Sequence, residues 1–188
     1  MKAIVHDMHD IRNSNCGKGM YGEEISAEAR LESLVVKHGT AITKYCYNLL
    51  WDYHEAHDAA QDVFIKAGEK LVRLRAQEAV TTWLYRIAHN VCMDILRRRR
   101  LASIFLLKAE TKKSYEDQYN LGISEELQGA LDTLPPKDRA LVYSRAVVGM
   151  EYAELARVYG KSAATLRKRY ERARKQLATQ LEGSGNNG

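Results

Sequence analysis

Arg167, Lys168, Glu171, Arg172 and Lys175 are the side chains of this chain best suited to chemistry, and the chemistry is recognition rather than bond breaking. Guanidinium and ammonium groups donate to phosphate oxygens and to the N7 and O6 edge of guanine, while a carboxylate accepts from the N4 of cytosine. The helix that must carry them has Leu166, Tyr170, Ala173 and Leu177 on its opposite face, at offsets of 0, 4, 7 and 11. Arg169 and Arg174 lie at the flanks of that apolar stripe, where they reach a backbone phosphate more readily than a base. Between Lys161 and Leu181 stand seven basic residues and one acidic residue, a net +6 against +5 for the whole chain. The positive charge is therefore deposited locally, as a phosphate-binding surface requires.

The element in front of this helix positions it. Leu155, Ala156 and Tyr159 give Tyr152–Tyr159 one apolar face, Gly160 can take the left-handed conformation that closes a helix, and Ser162 can cap the next one. A short helix, a three-residue turn and a basic helix form a helix-turn-helix that presents its second helix to the major groove.

Composition sets the frame. The 188 residues are 45% hydrophobic and 28% charged, with two prolines and scarcely any alternating apolar pattern, which reads as an all-α chain with a soluble surface. No apolar run approaches the roughly 20 residues of a membrane span, and the N-terminus lacks the apolar core of a secretion signal, so a cytoplasmic protein is expected. Cys16, Cys46 and Cys92 are too scattered for a disulfide framework, and Cys46 and Cys92 lie on apolar helical stripes as buried thiols. His6, His9 and Cys16 match no closed zinc spacing, so neither a metal nor another cofactor is expected. No phosphate-cradling glycine loop and no nucleophile elbow is present, which argues against an enzyme.

Along the chain, residues 1–25 read as a flexible extension. Ser26 is an N-cap, with Leu31, Leu34, Val35 and His38 lining one face, and Gly39 is expected to end that helix. Ala41, Ile42, Tyr45, Cys46 and Leu49 line the next, Trp51–His54 connects, and Glu55–Val72 forms a third helix that buries Ala59, Ala60, Val63, Phe64, Ala67 and Leu71. Asp58, Gln61 and Asp62 occupy a separate polar stripe of it. A polar loop, Arg73–Val80, leads to a fourth helix that starts at Thr81 or Thr82 and ends in the run Arg97–Arg100. That helix buries Trp83, Ile87, Ala88, Val91, Cys92 and Ile95 and exposes Arg86, His89, Asn90, Asp94 and Arg97. Residues 26–100 thus form one small bundle, 101–124 a linker, 125–182 a second domain with its own core, and 183–188 a flexible tail.

Two stretches resemble a known family. DAAQDVFIKA (Asp58–Ala67) with TTWLYRIAHNVCMDILRRRR (Thr81–Arg100) resembles region 2 of bacterial sigma factors, in the form of the small extracytoplasmic-function (ECF) group. LPPKDRALVYSRAVVGMEYAELARVYGKSAATLRKRYERARKQL (Leu134–Leu177) resembles region 4 of the same group. The resemblance implies a two-domain all-α fold, a four-helix region 2 and a helix-turn-helix region 4 joined by a flexible linker. It also implies a dissociable promoter-specificity subunit that catalyses nothing itself. Core RNA polymerase would dock its clamp coiled coil, from the largest subunit, on Asp58, Gln61 and Asp62. The melted −10 element would meet Arg75, Gln77, Glu78, Arg86, Asn90, Asp94, Arg97 and Arg98. The duplex −35 element would meet Ser162, Thr165, Arg167, Lys168, Arg169, Glu171, Arg172 and Lys175. An anti-sigma factor is the implied antagonist. His57, Ala59 and Ala60 depart from the family's usual acidic and larger apolar residues, and Val80 stands where many members carry an aromatic. A free-standing helix-turn-helix regulator is the competing reading, and it leaves Asp58, Gln61 and Asp62 without a role.

Overall fold

The computed structural model describes residues 26–71, 80–105 and 125–184. These form seven helices and, among the described residues, no strand: α1 Ala27–Leu50, α2 Tyr53–Leu71, α3 Val80–Phe105, α4 Glu125–Asp132, α5 Pro136–Ala146, α6 Tyr152–Tyr159 and α7 Ala163–Ser184. The Arg73–Val80 loop except Val80, most of the expected linker and both chain ends lie outside the described residues.

Helix α1 begins where expected, with the Ser26 hydroxyl accepting from the Ala29 amide at 3.1 Å. It does not break at Gly39 but runs unbroken to Leu50. A single glycine costs a helix only about 1 kcal/mol relative to alanine, and the packing of α1 on α2 and α3 outweighs that. Close approach of α1 to α2 depends instead on Gly68, where a Cβ would stand 3.0 Å from Leu31 Cδ2.

The connection after α1 is two residues rather than the four expected. Trp51 takes a left-handed conformation, φ 54°, and its amide donates to Tyr47 O at 2.9 Å. Asp52 Oδ1 then accepts from the Glu55 amide at 2.8 Å and starts α2 two residues early. A non-glycine residue in this region is strained by roughly 1–2 kcal/mol. Contacts to the Trp51 ring hold it there, from Tyr47 (centroids 5.9 Å apart) and from the Arg139 guanidinium 4.9 Å over its face.

Helix α3 continues five residues past the expected end at Arg100. Arg99 ties it to the α1–α2 corner, donating to Leu50 O at 2.9 Å and pairing with Glu55. Cys46 and Cys92 are buried as expected. A hydrogen bond between them and then burial push the Cys46 thiol well above its ordinary range.

The two bundles do not keep separate cores. One apolar cluster runs from Leu31 of α1 through α2 and α3 into Ala140 and Leu141 of α5, Met150 of the α5–α6 connection, Leu155 and Val158 of α6 and Leu166 of α7. A second, smaller cluster joins Ala130, Leu131 and Leu134 to Ala173 and Leu177. The seam between the bundles is where α6 lies on α3 and α5 lies on the end of α1.

Candidate nucleic-acid interface

The turn of the helix-turn-helix is built as the residue types require. Gly160 has φ 63° and donates its amide to Ala156 O at 3.0 Å, closing α6. Ser162 Oγ accepts from the Thr165 amide at 3.2 Å and opens α7. Leu166, Ala173 and Leu177 are buried and Tyr170 half-buried. That stripe fixes the roll of α7 and leaves Arg167, Lys168, Glu171, Arg172 and Lys175 exposed. The Arg167 guanidinium lies 5.1 Å from the Tyr152 ring centroid, which steadies a long side chain near the N-terminal end of α7. Ser162 and Thr165 share a hydroxyl hydrogen bond of 2.8 Å at that same end.

Arg169 has a different place. It donates through Nε at 2.9 Å and Nη2 at 2.6 Å to Asp138 Oδ1 on α5, so it anchors α7 to the scaffold. Arg174 pairs with Glu171 across one turn at 3.7 Å.

On α3, Arg86, Asn90, Asp94, Arg97 and Arg98 are exposed. Arg86, Asn90, Asp94 and Arg97 fall at offsets of 0, 4, 8 and 11, which is one helical stripe. Asp94 and Arg97 are paired. Arg75, Gln77 and Glu78 lie outside the described residues. Trp83, expected in the core, is half-buried at its edge, as is Ile95.

His89 departs from expectation. It is buried, because Tyr159 of α6 covers it and Tyr45 of α1 meets its Nδ1 at 3.3 Å. Burial, then the charges of Lys137 and Arg169, pull its pKa down to about 4. The Tyr159 hydroxyl donates to Ala140 O at 2.9 Å and lies 2.7 Å from the Ser144 hydroxyl and 3.4 Å from that of Tyr45. Thr82, also buried, donates to Glu154 Oε1 at 3.2 Å, while the other Glu154 oxygen accepts from the Glu151 amide. Sequence reading missed this seam, since each partner is supplied by a helix far away in the chain.

On α2, Asp58 and Asp62 are exposed, and the half-buried Gln61 amide lies 3.3 Å from His57 Nδ1. Ile65 adds an exposed apolar side chain to the same stripe. No group of three or more histidines, cysteines or acidic residues able to hold a metal occurs among the described residues.

Comparison with known proteins decides the family. Residues 34–102 match Sigma-70 region 2 and residues 124–177 match Sigma-70, region 4. The ECF RNA polymerase sigma-E factor of Escherichia coli is 31% identical over 139 residues, 66% of this chain and 73% of that one. The chain belongs to the ECF group of RNA polymerase sigma factors.

The ECF RNA polymerase sigma factor SigE of Mycolicibacterium smegmatis is 29% identical over 157 residues, 80% of this sigma factor. The match spans 61% of that relative's length. Among solved structures, CnrH in complex with the cytosolic domain of CnrY superposes with a TM-score of 0.62 at 26% identity, covering 81% of this chain and 88% of that one. In this sigma factor the region 2 match holds the α2 and α3 stripes, and the region 4 match holds α4, α5, α6 and all of α7 through Leu177. No described helix is long and apolar enough to cross a membrane.

Proposed function

We propose that this ECF sigma factor binds core RNA polymerase and directs it to promoters by reading a duplex −35 element with α7 and a melted −10 element with α3. The observation that carries the reading is the pair of outward stripes on one chain: Arg167, Lys168, Glu171, Arg172 and Lys175 on α7, and Arg86, Asn90, Asp94 and Arg97 on α3. The first offers donors and an acceptor to base edges in the major groove. The second sets an amide among charges, suited to a base already unpaired. Arg75, Gln77 and Glu78, which precede α3 in the chain, would complete the pocket for a flipped base, since extrusion costs a few kcal/mol that only contacts to the base can offset. Arg98 supplies charge toward backbone phosphate.

Asp58, Gln61 and Asp62 form the polymerase-docking stripe, complementary to a basic helical partner such as the clamp coiled coil. The polymerase performs the chemistry, and this sigma factor supplies specificity in the cytoplasm. We assign an anti-sigma factor as antagonist; a supporting observation is that CnrH, a structural relative, is held in a complex with another protein, the cytosolic domain of CnrY.

Run-off transcription with purified core polymerase on a promoter library is the test. Promoter-dependent transcripts are expected only when the chain is added. Duplex binding that occurs without polymerase, with no transcripts, would instead favour a free-standing regulator.

A further inference from the structure

Helix α3 carries four consecutive arginines near its end, Arg97 to Arg100. Successive side chains of a helix step by about 100°, so these four fan through roughly 300° and cannot all face one DNA backbone. The structure separates them. Arg97 and Arg98 are exposed, whereas Arg99 turns back onto the bundle, with 33% of its side chain exposed against 69% for Arg97.

The contacts of Arg99 reach two other helices. Its Nη1 donates at 2.9 Å to the carbonyl of Leu50, the last residue of α1. A helix C-terminus leaves such carbonyls without an intrahelical donor, and α1 has no basic residue in its own last turn to favour that end. Arg99 Nε donates to Glu55 Oε1 at 3.2 Å, and Nη2 pairs with Glu55 Oε2. Glu55 stands in the first turn of α2, where its amide is capped by Asp52 Oδ1 at 2.8 Å. All three guanidinium nitrogens are thus engaged at the α1–α2 corner, and a carboxylate offsets the charge. An arginine so committed is poorly placed to take a phosphate.

Glu55 also lies three and seven residues before Asp58 and Asp62, on the same stripe of α2. One side chain therefore ties the helix of the polymerase stripe to the helix of the −10 stripe. Lysine at this position would supply the charge without the planar fork, since an ammonium is a point donor.

We propose that Arg99 is a positioning residue for −10 recognition and not a phosphate contact. Its fork with Glu55 sets the angle of α3 on α2, so that polymerase docked on one stripe presents the other in register to the melted strand. This inference rests on the sigma-factor reading of the two stripes.

The test uses the full chain assembled with purified core polymerase on a promoter library premelted at −10, selected at several salt concentrations. Arg98→Gln, at a proposed phosphate contact, should make the slope of log affinity against log salt shallower by about 0.7 and leave the preferred −10 sequence unchanged. Arg99→Lys keeps the charge, yet should lose about tenfold in discrimination between preferred and scrambled −10 sequences, at the salt slope of wild type. Glu55→Gln should lose discrimination in the same way, although removal of an acidic charge would by itself tighten DNA binding. The double variant should be no worse than either single one, because the two residues act as a unit. Glu55→Gln carries the test if the lysine variant does not fold. Wild-type discrimination in Arg99→Lys, or tighter binding to all sequences in Glu55→Gln, overturns the proposal. Melting of the free chain needs no polymerase: Arg99→Lys and Glu55→Gln should melt below wild type, and Arg98→Gln with it. Those melting shifts beside a wild type that yields no promoter-dependent transcript would leave the α2–α3 clamp standing and remove the sigma-factor reading.

Discussion

The Tyr159 ring stands edge-on to the His89 imidazole, with centroids 4.7 Å apart and planes at 89°. One side chain belongs to the helix-turn-helix and the other to the helix that carries Asn90, so an aromatic contact joins region 4 to region 2. The Tyr45 hydroxyl at Nδ1 completes a site for a neutral imidazole. The groups around the ring are the phenols of Tyr45 and Tyr159 and the positive charges of Lys137 and Arg169, none of which favours an imidazolium.

This environment makes stability depend on pH. A histidine of pKa about 4 in the folded chain titrates near 6.5 once unfolded. Above pH 6.5 both states are neutral and the site is neutral to stability. Below it the unfolded chain takes up the proton first, so stability falls as pH drops from about 6.5 toward 4, by up to about 3 kcal/mol. Urea unfolding at pH 7.0 and 4.5 measures the loss. His89→Gln should remove that share of it, and an identical pH slope in the variant would contradict the assignment.

Arg167 and Arg169 are two positions apart and should fail differently. Arg167→Ala should weaken −35 binding by about 1–3 kcal/mol and relax preference at one or two base pairs. Arg169→Ala should lower thermal stability and leave the preferred sequence unchanged, because its hydrogen bonds go to Asp138. A duplex-library selection read beside the melting temperature of each variant separates the two outcomes.

The α2 stripe gives a polymerase prediction. Asp62 is exposed and supports no packing, so Asp62→Arg should keep the helical circular dichroism of wild type while core polymerase is retained poorly in a pull-down. Undiminished retention by a folded variant would remove this stripe from the docking surface.

Gly160 sits at φ 63° with nothing within 4 Å of where a Cβ would point. Gly160→Ala therefore meets no clash, only the cost of a left-handed alanine, about 1 kcal/mol. The melting temperature should fall by a few degrees while −35 preference holds. A large loss of specificity would mean that the turn does more than join two helices.

Helix α7 was legible in the sequence because its signal is local. Leu166, Ala173 and Leu177 repeat at the helical period, and Gly160 and Ser162 carry the turn and cap chemistry in their own side chains. The α2 and α3 stripes were legible for the same reason. His89, Thr82, Asn48 and Arg139 were not, because nothing near them in the chain announces burial. Asn48 and His89 lie on helices whose neighbouring residues allow either environment, and a distant helix makes the choice. Gly39 misled in the opposite sense, since its local preference for a break yields to the packing of the helix on both sides. Trp51 was placed in a connection, but one of the contacts that hold its left-handed backbone, the Arg139 guanidinium over its ring, comes from far along the chain.

Arg139 completes the end of α1 from 90 positions further on. On a ribosome adding roughly 5–20 residues per second, about 5–20 seconds separate the two. Through that interval the region 2 bundle emerges with Leu49 O lacking its Arg139 donor and the Trp51 corner unsupported by its later partner. The nascent chain therefore passes through a stage in which the α2 and α3 stripes are already formed and the shared core with α5, α6 and α7 does not yet exist.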